Sequence, residues 1–217
     1  MIYWITPEDT ADTFPPVDTA LPEPDGLLAA GGDLTPARLI AAYRRGIFPW
    51  FSEGEPILWW CPSERAVIKP EEIHISRSLN KVFRRQTFRI TKNTAFNDVI
   101  AGCAAPRHYS NGTWITEDMM YAYRRLHQLG YAHSIECWLD NQLAGGLYGV
   151  KIGNVFFGES MFSAATNASK VALVSLARQG DIKLIDCQIP NDHLETMGMT
   201  LIPRQEFIHL LNCYCEV

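Results

Sequence analysis

The chain has 217 residues, of which 47% are hydrophobic and 20% are charged, and its formal net charge is −5. This composition is typical of a globular protein and excludes a disordered chain. No apolar run reaches the roughly 18 residues that a membrane-spanning helix needs. The start, MIYWITPEDTADTFPP, has acidic residues and prolines where a signal peptide would have a basic and then an apolar segment. We therefore expect a cytoplasmic protein that does not enter a membrane.

The six cysteines are scattered along the chain, with no Cys-x-x-Cys pair and no paired metal-ligand spacing. This distribution is typical of reduced thiols that act as small apolar side chains. We therefore expect no metal site.

The N-terminal part begins with 25 proline- and acid-rich residues that are predicted to be extended. Thr35 and Pro36 then supply a cap and a first-turn proline for a helix, and Gly46 stands where a glycine commonly ends one. An aromatic segment with a central turn follows, GIFPWFSEGEPILWWC. We interpret residues 1–63 as a small N-terminal α/β domain.

The tryptophans of this aromatic segment differ in their sequence context. Trp59 and Trp60 are predicted to belong to the core of the small domain. Trp50 follows a proline in a loop-like context, so its ring either belongs to that core or is presented for stacking.

Residues 74–92 form a basic segment in an otherwise acidic chain, with six basic residues and no acidic one. A helix is predicted there, with basic side chains on one face and Leu79, Val82 and Phe83 on the other. Two interpretations remain open, a solvated helix face and a local phosphate-binding patch suited to structured RNA. The basic residues are Arg77, Lys81, Arg84, Arg85, Arg89 and Lys92.

Residues 64–217 are predicted to form the larger domain. Helices are predicted over 95–103 and 116–130, and three antiparallel strands over 134–139, 143–150 and 155–161. A helix capped by Asn167 or Ser169 follows, and then a strand that begins at Leu184. A short helix over 191–197, a strand over 200–202 and a last helix over 204–211 complete the chain.

The strand, helix and returning strand between Val155 and Gln188 are predicted to form a right-handed crossover, with both strand ends at one edge of a sheet, where ligands often bind. Glu159 interrupts the first strand. Asp186 and Gln188 interrupt the second and share a face, while Cys187 points to the other. The pattern fits either a solvated strand end or a cleft floor with two carboxylates and an amide.

The order of helices and strands is that of the GNAT acyltransferase fold, so we predict an α+β protein with a GNAT-like catalytic domain over 64–217. The chain further resembles the leucyl/phenylalanyl-tRNA–protein transferases along nearly its whole length. The resemblance lies in the blocks GLLAAGGDLTPARLIAAYRRGIFPWF, ILWWCPSERAV, HISRSL, GTWIT, AHSIECW, LAGGLYGV, FFGESMFS, NASKVAL, LIDCQIPNDHL and IPRQEF.

This resemblance implies an enzyme that moves Leu or Phe from charged tRNA to the N-terminal Arg or Lys of a protein, which creates a degradation signal. It also implies roles for individual residues. Trp50 and Trp114 hold the terminal adenosine of the tRNA. The other positions are an amino-acid pocket at Leu147, Phe156, Gly158 and Ile185, a reaction centre at Glu159, Asp186, Gln188 and Asn191, and an approximate tRNA-binding patch at Lys81, Arg84 and Arg85.

The implied chemistry needs no cofactor, because an aminoacyl ester is already activated. Asp186 is expected to orient the Gln188 amide, whose oxygen accepts a hydrogen bond from the attacking amine. Glu159 is expected to supply negative charge for the cationic end of the acceptor. The excess proton leaves either through these carboxylates or through a tRNA ribose hydroxyl, and the sequence does not separate the two routes.

Two other functions compete with this one. An acetyl-CoA-dependent N-acetyltransferase would need a glycine-rich pyrophosphate loop before the central helix, but the segment there is FSAATNASK. An RNA-binding module would explain the basic segment but not the acids in core strands. The segment ARQGDI (177–182) is about one helical turn shorter than in members of the family, so selectivity among Leu, Phe and Met stays open. We expect a monomer.

Overall fold

The computed structural model describes residues 2–105 and 115–215. Its N-terminal part is a four-stranded sheet with one α-helix and a short 3-10 helix, Val17–Thr19. The strands are β1 (Tyr3–Ile5), β2 (Leu27–Gly31), β3 (Phe48–Pro49) and β4 (Leu58–Trp60), and the helix is α1 (Pro36–Arg44). The strand order is β1-β2-β4-β3. Gly46 has a φ of +73° directly after the C-cap residue Arg45. The predicted start of α1 and the glycine at its end are therefore confirmed.

Trp59 lies at the centre of this part, as predicted. It is fully buried, its ring meets Phe14 edge-on at 5.0 Å, and its Nε1 donates to the Gly31 carbonyl at 2.9 Å. Trp60 is only partly buried against the same core.

The rest of the chain forms a seven-stranded mixed sheet with helices on both faces, which confirms the predicted α+β class. The strand order is β11-β5-β10-β9-β8-β7-β6. The strands are β5 (Glu64–Ile68), β6 (Arg89–Lys92), β7 (Ala132–Leu139), β8 (Gln142–Ile152), β9 (Val155–Ser163), β10 (Leu184–Gln188) and β11 (Thr200–Pro203). The helices are α2 (Arg77–Arg84), α3 (Phe96–Ala104), α4 (Glu117–Gln128), α5 (Ala168–Ala177), α6 (Asp192–Glu195) and α7 (Arg204–Tyr214). None of the described helices is long and apolar enough to cross a membrane.

Neighbouring residues of the central strands pack into two different cores, because side chains alternate along a strand. Phe157 and Val67 belong to one core, together with residues of α1, α3, α4 and α7. Phe156 and Ile68 belong to the other, together with residues of α2 and α5. We call these two sides of the sheet the α4 face and the α5 face.

The predicted crossover is present as β9, α5 and β10. The two strands are parallel, but their pairing covers only Val155 to Phe157 on β9 and Leu184 to Asp186 on β10. Beyond that point β9 continues to Ser163, while the register of β10 against β5 shifts between Asp186 and Gln188. The two strands therefore separate at their carboxyl ends.

The capping of α5 differs from the prediction. Asn167 occupies the cap position with a left-handed φ of +71°, but its side chain makes no capping hydrogen bond. Instead Ser163, at the end of β9, accepts the backbone N–H of Ser169 through its Oγ at 2.9 Å. A side chain at the end of β9 thus satisfies a backbone N–H at the start of α5. This hydrogen bond fixes the connection between the strand and the helix at the point where β9 and β10 separate.

Candidate functional site

A cavity of about 1110 Å³ opens where β9 and β10 separate. Asp186 is fully buried, and Glu159 and Gln188 are each only 8% exposed. The polar residues therefore form the floor of a cleft rather than a solvated strand end. The predicted site residues that line this cavity are Trp50, Leu147, Phe156, Gly158, Glu159, Ile185, Asp186, Gln188 and Asn191.

The four residues predicted to form the amino-acid pocket lie on the apolar wall of this cavity, on the α5 face. Leu147, Phe156 and Ile185 are buried in the core of that face. Gly158 lies beside them, and a Cβ placed there would meet only the Asp186 carbonyl oxygen, at 3.2 Å. The missing side chain therefore leaves open space between the two strands.

Glu159 lies on the α4 face, where three donors occupy both of its oxygens. Tyr43 of α1 and the Gln188 amide Nε2 donate to Oε1 at 2.7 and 2.9 Å, and Tyr123 of α4 donates to Oε2 at 2.7 Å. The two tyrosine hydroxyls also lie within hydrogen-bond distance of each other. Glu159 lines the cavity, but both of its oxygens already accept hydrogen bonds from the protein. The expected recognition of a cationic acceptor by its charge stays a prediction.

Burial raises the pKa of Glu159 to about 7, and the charge of Asp186 raises it as well, although the three hydrogen bonds oppose the rise. Burial and the Glu159 charge hold the pKa values of Tyr43 and Tyr123 well above 10.0. The tyrosines are thus neutral donors near neutral pH, whereas Glu159 titrates there.

Asp186 is held by a residue that the sequence analysis did not single out. Nε and Nη2 of Arg65 donate to its two oxygens, each at 2.7 Å, and Oδ1 also accepts the backbone N–H of Gln188 at 2.9 Å. The contact expected between Asp186 and the Gln188 side-chain amide is therefore not formed. That amide reaches Glu159 instead, and within the described part of the chain its oxygen has no hydrogen-bond partner.

Gln188 and Asp186 share a face, as predicted, although the strand between them is irregular. Gln188 has a φ of +64° and β10 is bulged at this point. Cys187 packs against the core of the α5 face, opposite the Glu159 cluster. Asn191 follows as the N-cap of α6, where its Oδ1 accepts the Leu194 N–H at 3.0 Å.

Trp50 lies at the cavity with 41% of its surface exposed. Its ring is 5.7 Å from that of Trp60, whose Nε1 donates to the Trp50 carbonyl at 2.7 Å. The ring is thus partly exposed at the cavity, and its use for stacking stays a prediction. Trp114 lies outside the described residues.

The predicted basic residues lie apart from the cavity. Lys81, Arg84 and Arg85 are exposed on or just after α2, whose apolar side chain Leu79 is buried. None of the three forms an ion pair with another residue of the described ranges. Over the same ranges, no three His, Cys, Asp or Glu side chains come together in a metal-binding arrangement.

The residues that sequence reasoning missed are Arg65, Tyr43 and Tyr123. Both tyrosines occupy apolar positions of helices, so their spacing indicated only the core. Arg65 carried a usable signal, because a charged residue two positions before Val67 in a buried strand requires a partner of opposite charge.

Two family profiles match the chain. One, described as leucyl/phenylalanyl-tRNA protein transferase, matches residues 67–212, and one for the N-terminal domain of this transferase matches residues 32–63. The chain belongs to the leucyl/phenylalanyl-tRNA–protein transferase family. The predicted resemblance is thus confirmed.

Curated members of the leucyl/phenylalanyl-tRNA–protein transferase family resemble the chain over its whole length. One from Stutzerimonas stutzeri (strain A1501) is 55% identical, with 100% of this chain and 96% of that protein covered. Another, from Azoarcus sp. (strain BH72), is 58% identical, with 95% of this chain and 88% of that protein covered. Among solved structures, a GCN5-related N-acetyltransferase from Kribbella flavida matches with a TM-score of 0.39 and 9% identity, over 78% of this chain and 61% of that one.

Proposed function

We propose that the chain is an aminoacyltransferase that moves Leu or Phe from charged tRNA to the N-terminal Arg or Lys of proteins, creating an N-terminal degradation signal. Met is a further candidate for the transferred residue. The reaction forms a peptide bond by aminolysis of an ester. The amine nitrogen bonds to the ester carbon, the bond to the ribose oxygen breaks, and the excess proton of the amine ends on that oxygen.

The observation that carries this proposal is the two-sided cavity between β9 and β10. At about 1110 Å³ it exceeds the range of about 300–1,000 Å³ that is usual for small-ligand pockets, so an aminoacyl-adenosine fits. Its apolar wall suits the side chain of Leu or Phe. Its polar floor lies where the ester would sit, and Trp50 offers an exposed ring for the adenine.

We assign distinct roles to the polar residues of the floor. The free oxygen of the Gln188 amide accepts a hydrogen bond from the attacking amine, and Glu159 orients that amide. Asn191, whose Oδ1 caps α6, presents its amide nitrogen to the substrate. Asp186 supports the backbone of Gln188.

The same contacts favour Glu159 over Asp186 as the protein group that receives the proton. A base works best when its pKa lies near the working pH, and that of Glu159 is about 7. Asp186 is instead paired with the charged guanidinium of Arg65, so its protonation would break a charge pair, whereas the donors to Glu159 are neutral. Transfer through the tRNA ribose hydroxyl remains the alternative route.

The tRNA body is proposed to bind the exposed cations Lys81, Arg84 and Arg85, which have no acidic partner among the described residues. Trp114 is proposed to complete the adenosine site with Trp50. We propose residues 1–63 and 64–217 as two domains, because the strands of the two sheets fall on either side of that boundary. We also propose a cytoplasmic monomer that needs no cofactor, since charged tRNA is cytoplasmic and an aminoacyl ester is already activated.

Acetyl-CoA is not proposed as a ligand. The pyrophosphate of that cofactor would need free backbone N–H groups at the start of α5. One of these, from Ser169, is already bonded to the Ser163 hydroxyl.

The decisive experiment measures transfer of labelled Leu from tRNA to a peptide that starts with Arg. A peptide of the same sequence with an acetylated N-terminus is the control, because it lacks the attacking amine. We expect label only in the first peptide and no change in melting temperature with acetyl-CoA. Absence of transfer together with thermal stabilisation by acetyl-CoA would support an acetyltransferase instead.

A further inference from the structure

Arg65 is a buried cation placed beneath the cavity without lining it. Besides its paired contacts with Asp186, its Cζ lies 4.6 Å from the rings of both Phe48 on β3 and Phe207 on α7. Its remaining nitrogen, Nη1, has no hydrogen-bond partner in the part of the chain that the structure describes. Contacts from three separate segments therefore fix the guanidinium plane, and with it the two hydrogen bonds to Asp186.

Stability alone does not explain this buried ion pair. Removing two charges from water is costly, and well-packed apolar residues of similar volume are often equally or more stable. The contacts of Asp186 indicate another reason, because its Oδ1 accepts both the Arg65 Nε and the Gln188 backbone N–H.

The Gln188 N–H belongs to the bulge of β10. A φ of +64° is unfavourable for a residue with a side chain and persists only where surrounding contacts enforce it. The same bulge brings the Gln188 amide to Glu159 at 2.9 Å. A continuous chain of contacts thus runs from Arg65 through Asp186 and Gln188 to Glu159.

We propose that Arg65 is a positioning residue for the transfer reaction: by fixing the Asp186 carboxylate, it holds the β10 bulge that delivers the Gln188 amide to the reacting centre. This inference rests on the proposed function. Arg65 touches no substrate, so its loss should disturb the alignment of the reacting groups and not the binding of tRNA or acceptor.

The test is Arg65→Lys, which keeps the charge but cannot form the paired hydrogen bonds. The matched control is Arg38→Lys. Arg38 is also 1% exposed, and within the described residues its hydrogen bonds go to Asp33 and to two backbone carbonyls of the N-terminal part. We expect kcat of Arg65→Lys to fall by about 10²-fold, the loss that a misplacement of about 1 Å produces. KM for Leu-tRNA and for the peptide should stay within about two-fold of wild type, because Arg65 contributes no contact to the binding of either substrate.

The control should transfer Leu with wild-type kcat, whatever its melting temperature. Wild-type kcat in Arg65→Lys, or an equal loss in both variants, would overturn the inference. If the wild-type chain itself transfers no Leu, the proposed function fails instead, so the two failures are distinguishable.

If Arg65→Lys does not fold, a double-mutant cycle of Arg65→Met and Asp186→Asn replaces it. Residues that act through one contact give losses that do not multiply. The double variant should therefore lose no more kcat than Asp186→Asn alone. The proposed action of Arg65 through Asp186 would be refuted if the losses of kcat in the two single variants multiplied in the double variant. Full recovery of kcat in the double variant would refute it as well.

Discussion

Replacing Glu159 by Gln should make the protein more stable at alkaline pH. The substitution removes the charge but can keep all three contacts, with the hydrogen bond to Tyr123 reversed in direction. The oxygen of the introduced amide would accept from Tyr43 and from the Gln188 amide in place of Oε1. Its nitrogen would donate to the hydroxyl of Tyr123, which can turn to donate to the hydroxyl of Tyr43 beside it. No buried polar group is then left without a partner.

The magnitude follows from the pKa of Glu159, which burial raises from 4.5 to about 7. Between these two values the folded state keeps the proton and the unfolded state has lost it. The free energy of unfolding therefore falls as the pH rises through this window, by about 3 kcal/mol at 1.36 kcal/mol per unit. The contribution is fully retained below 4.5 and fully lost above 7. The Gln variant has no such ionisation and does not lose this stability.

Urea unfolding from about pH 4 to about pH 8 measures the effect directly. The stability of Glu159→Gln relative to wild type should increase by about 3 kcal/mol across this range. The reference is the difference between the two proteins at about pH 4, where Glu159 of the wild type and the Gln that replaces it are both uncharged. Parallel curves for the two proteins would show that Glu159 is not a desolvated carboxylate, and its proposed role as proton acceptor would lose its main support.

Three further predictions address the other parts of the site. Neutralising Lys81, Arg84 and Arg85 should raise KM for charged tRNA and flatten its salt dependence by about one slope unit per lost phosphate contact, with kcat unchanged; an unchanged slope would make the segment a solvated face. Trp50→Ala should weaken binding of an aminoacyl-adenosine analogue by about 1–3 kcal/mol in calorimetry, whereas a lower melting temperature with unchanged affinity would place the ring in the core. Gly158→Ala puts a methyl group into the apolar pocket, 3.2 Å from the Asp186 carbonyl oxygen, so kcat/KM should fall more with Phe-tRNA than with Leu-tRNA. Equal losses with the two tRNAs would argue against that pocket.

Local patterns were sufficient to predict most of the larger domain. The strands predicted over 134–139, 143–150 and 155–161 match β7, β8 and β9 apart from their ends, and the cap residue of α4 is Thr116, as predicted. β5 and β6 were missed, because each is short and begins with charged residues that hide the apolar alternation. Their places in the sheet depend on pairing with β10 and β7, which a local pattern does not contain.

The sequence predicted the site residues that lie on the central strands, but not the residues that bind them. The residues on the central strands stood out because they are polar within apolar runs. Their partners did not, because the contacts are distant in sequence: Arg65 is 121 residues from Asp186, and Tyr43 is 116 residues from Glu159. Without these partners, the residue pattern did not distinguish the surroundings of Asp186 and Glu159, and the different roles expected of them depended on the family resemblance. The partners make them different, since one is held by a guanidinium and the other by neutral hydroxyls.

The two-sided character of the cavity follows from the alternation of side chains on its two strands. On β9, Phe156 and Gly158 face α5 while Glu159 faces α4, and on β10 Ile185 faces α5 while Asp186 faces α4. Where paired strands separate, a ligand in the gap contacts both faces at once. An aminoacyl ester can therefore place its apolar side chain on one face and its reacting carbonyl near the other. A register shift of one residue in either strand would move its α4-face side chains to the α5 face and its α5-face side chains to the α4 face. Asp186 is the last residue of β10 that pairs with β9, and the irregularity in β10 lies directly after it. Asp186 therefore stays on the α4 face, and the two strands separate only beyond it.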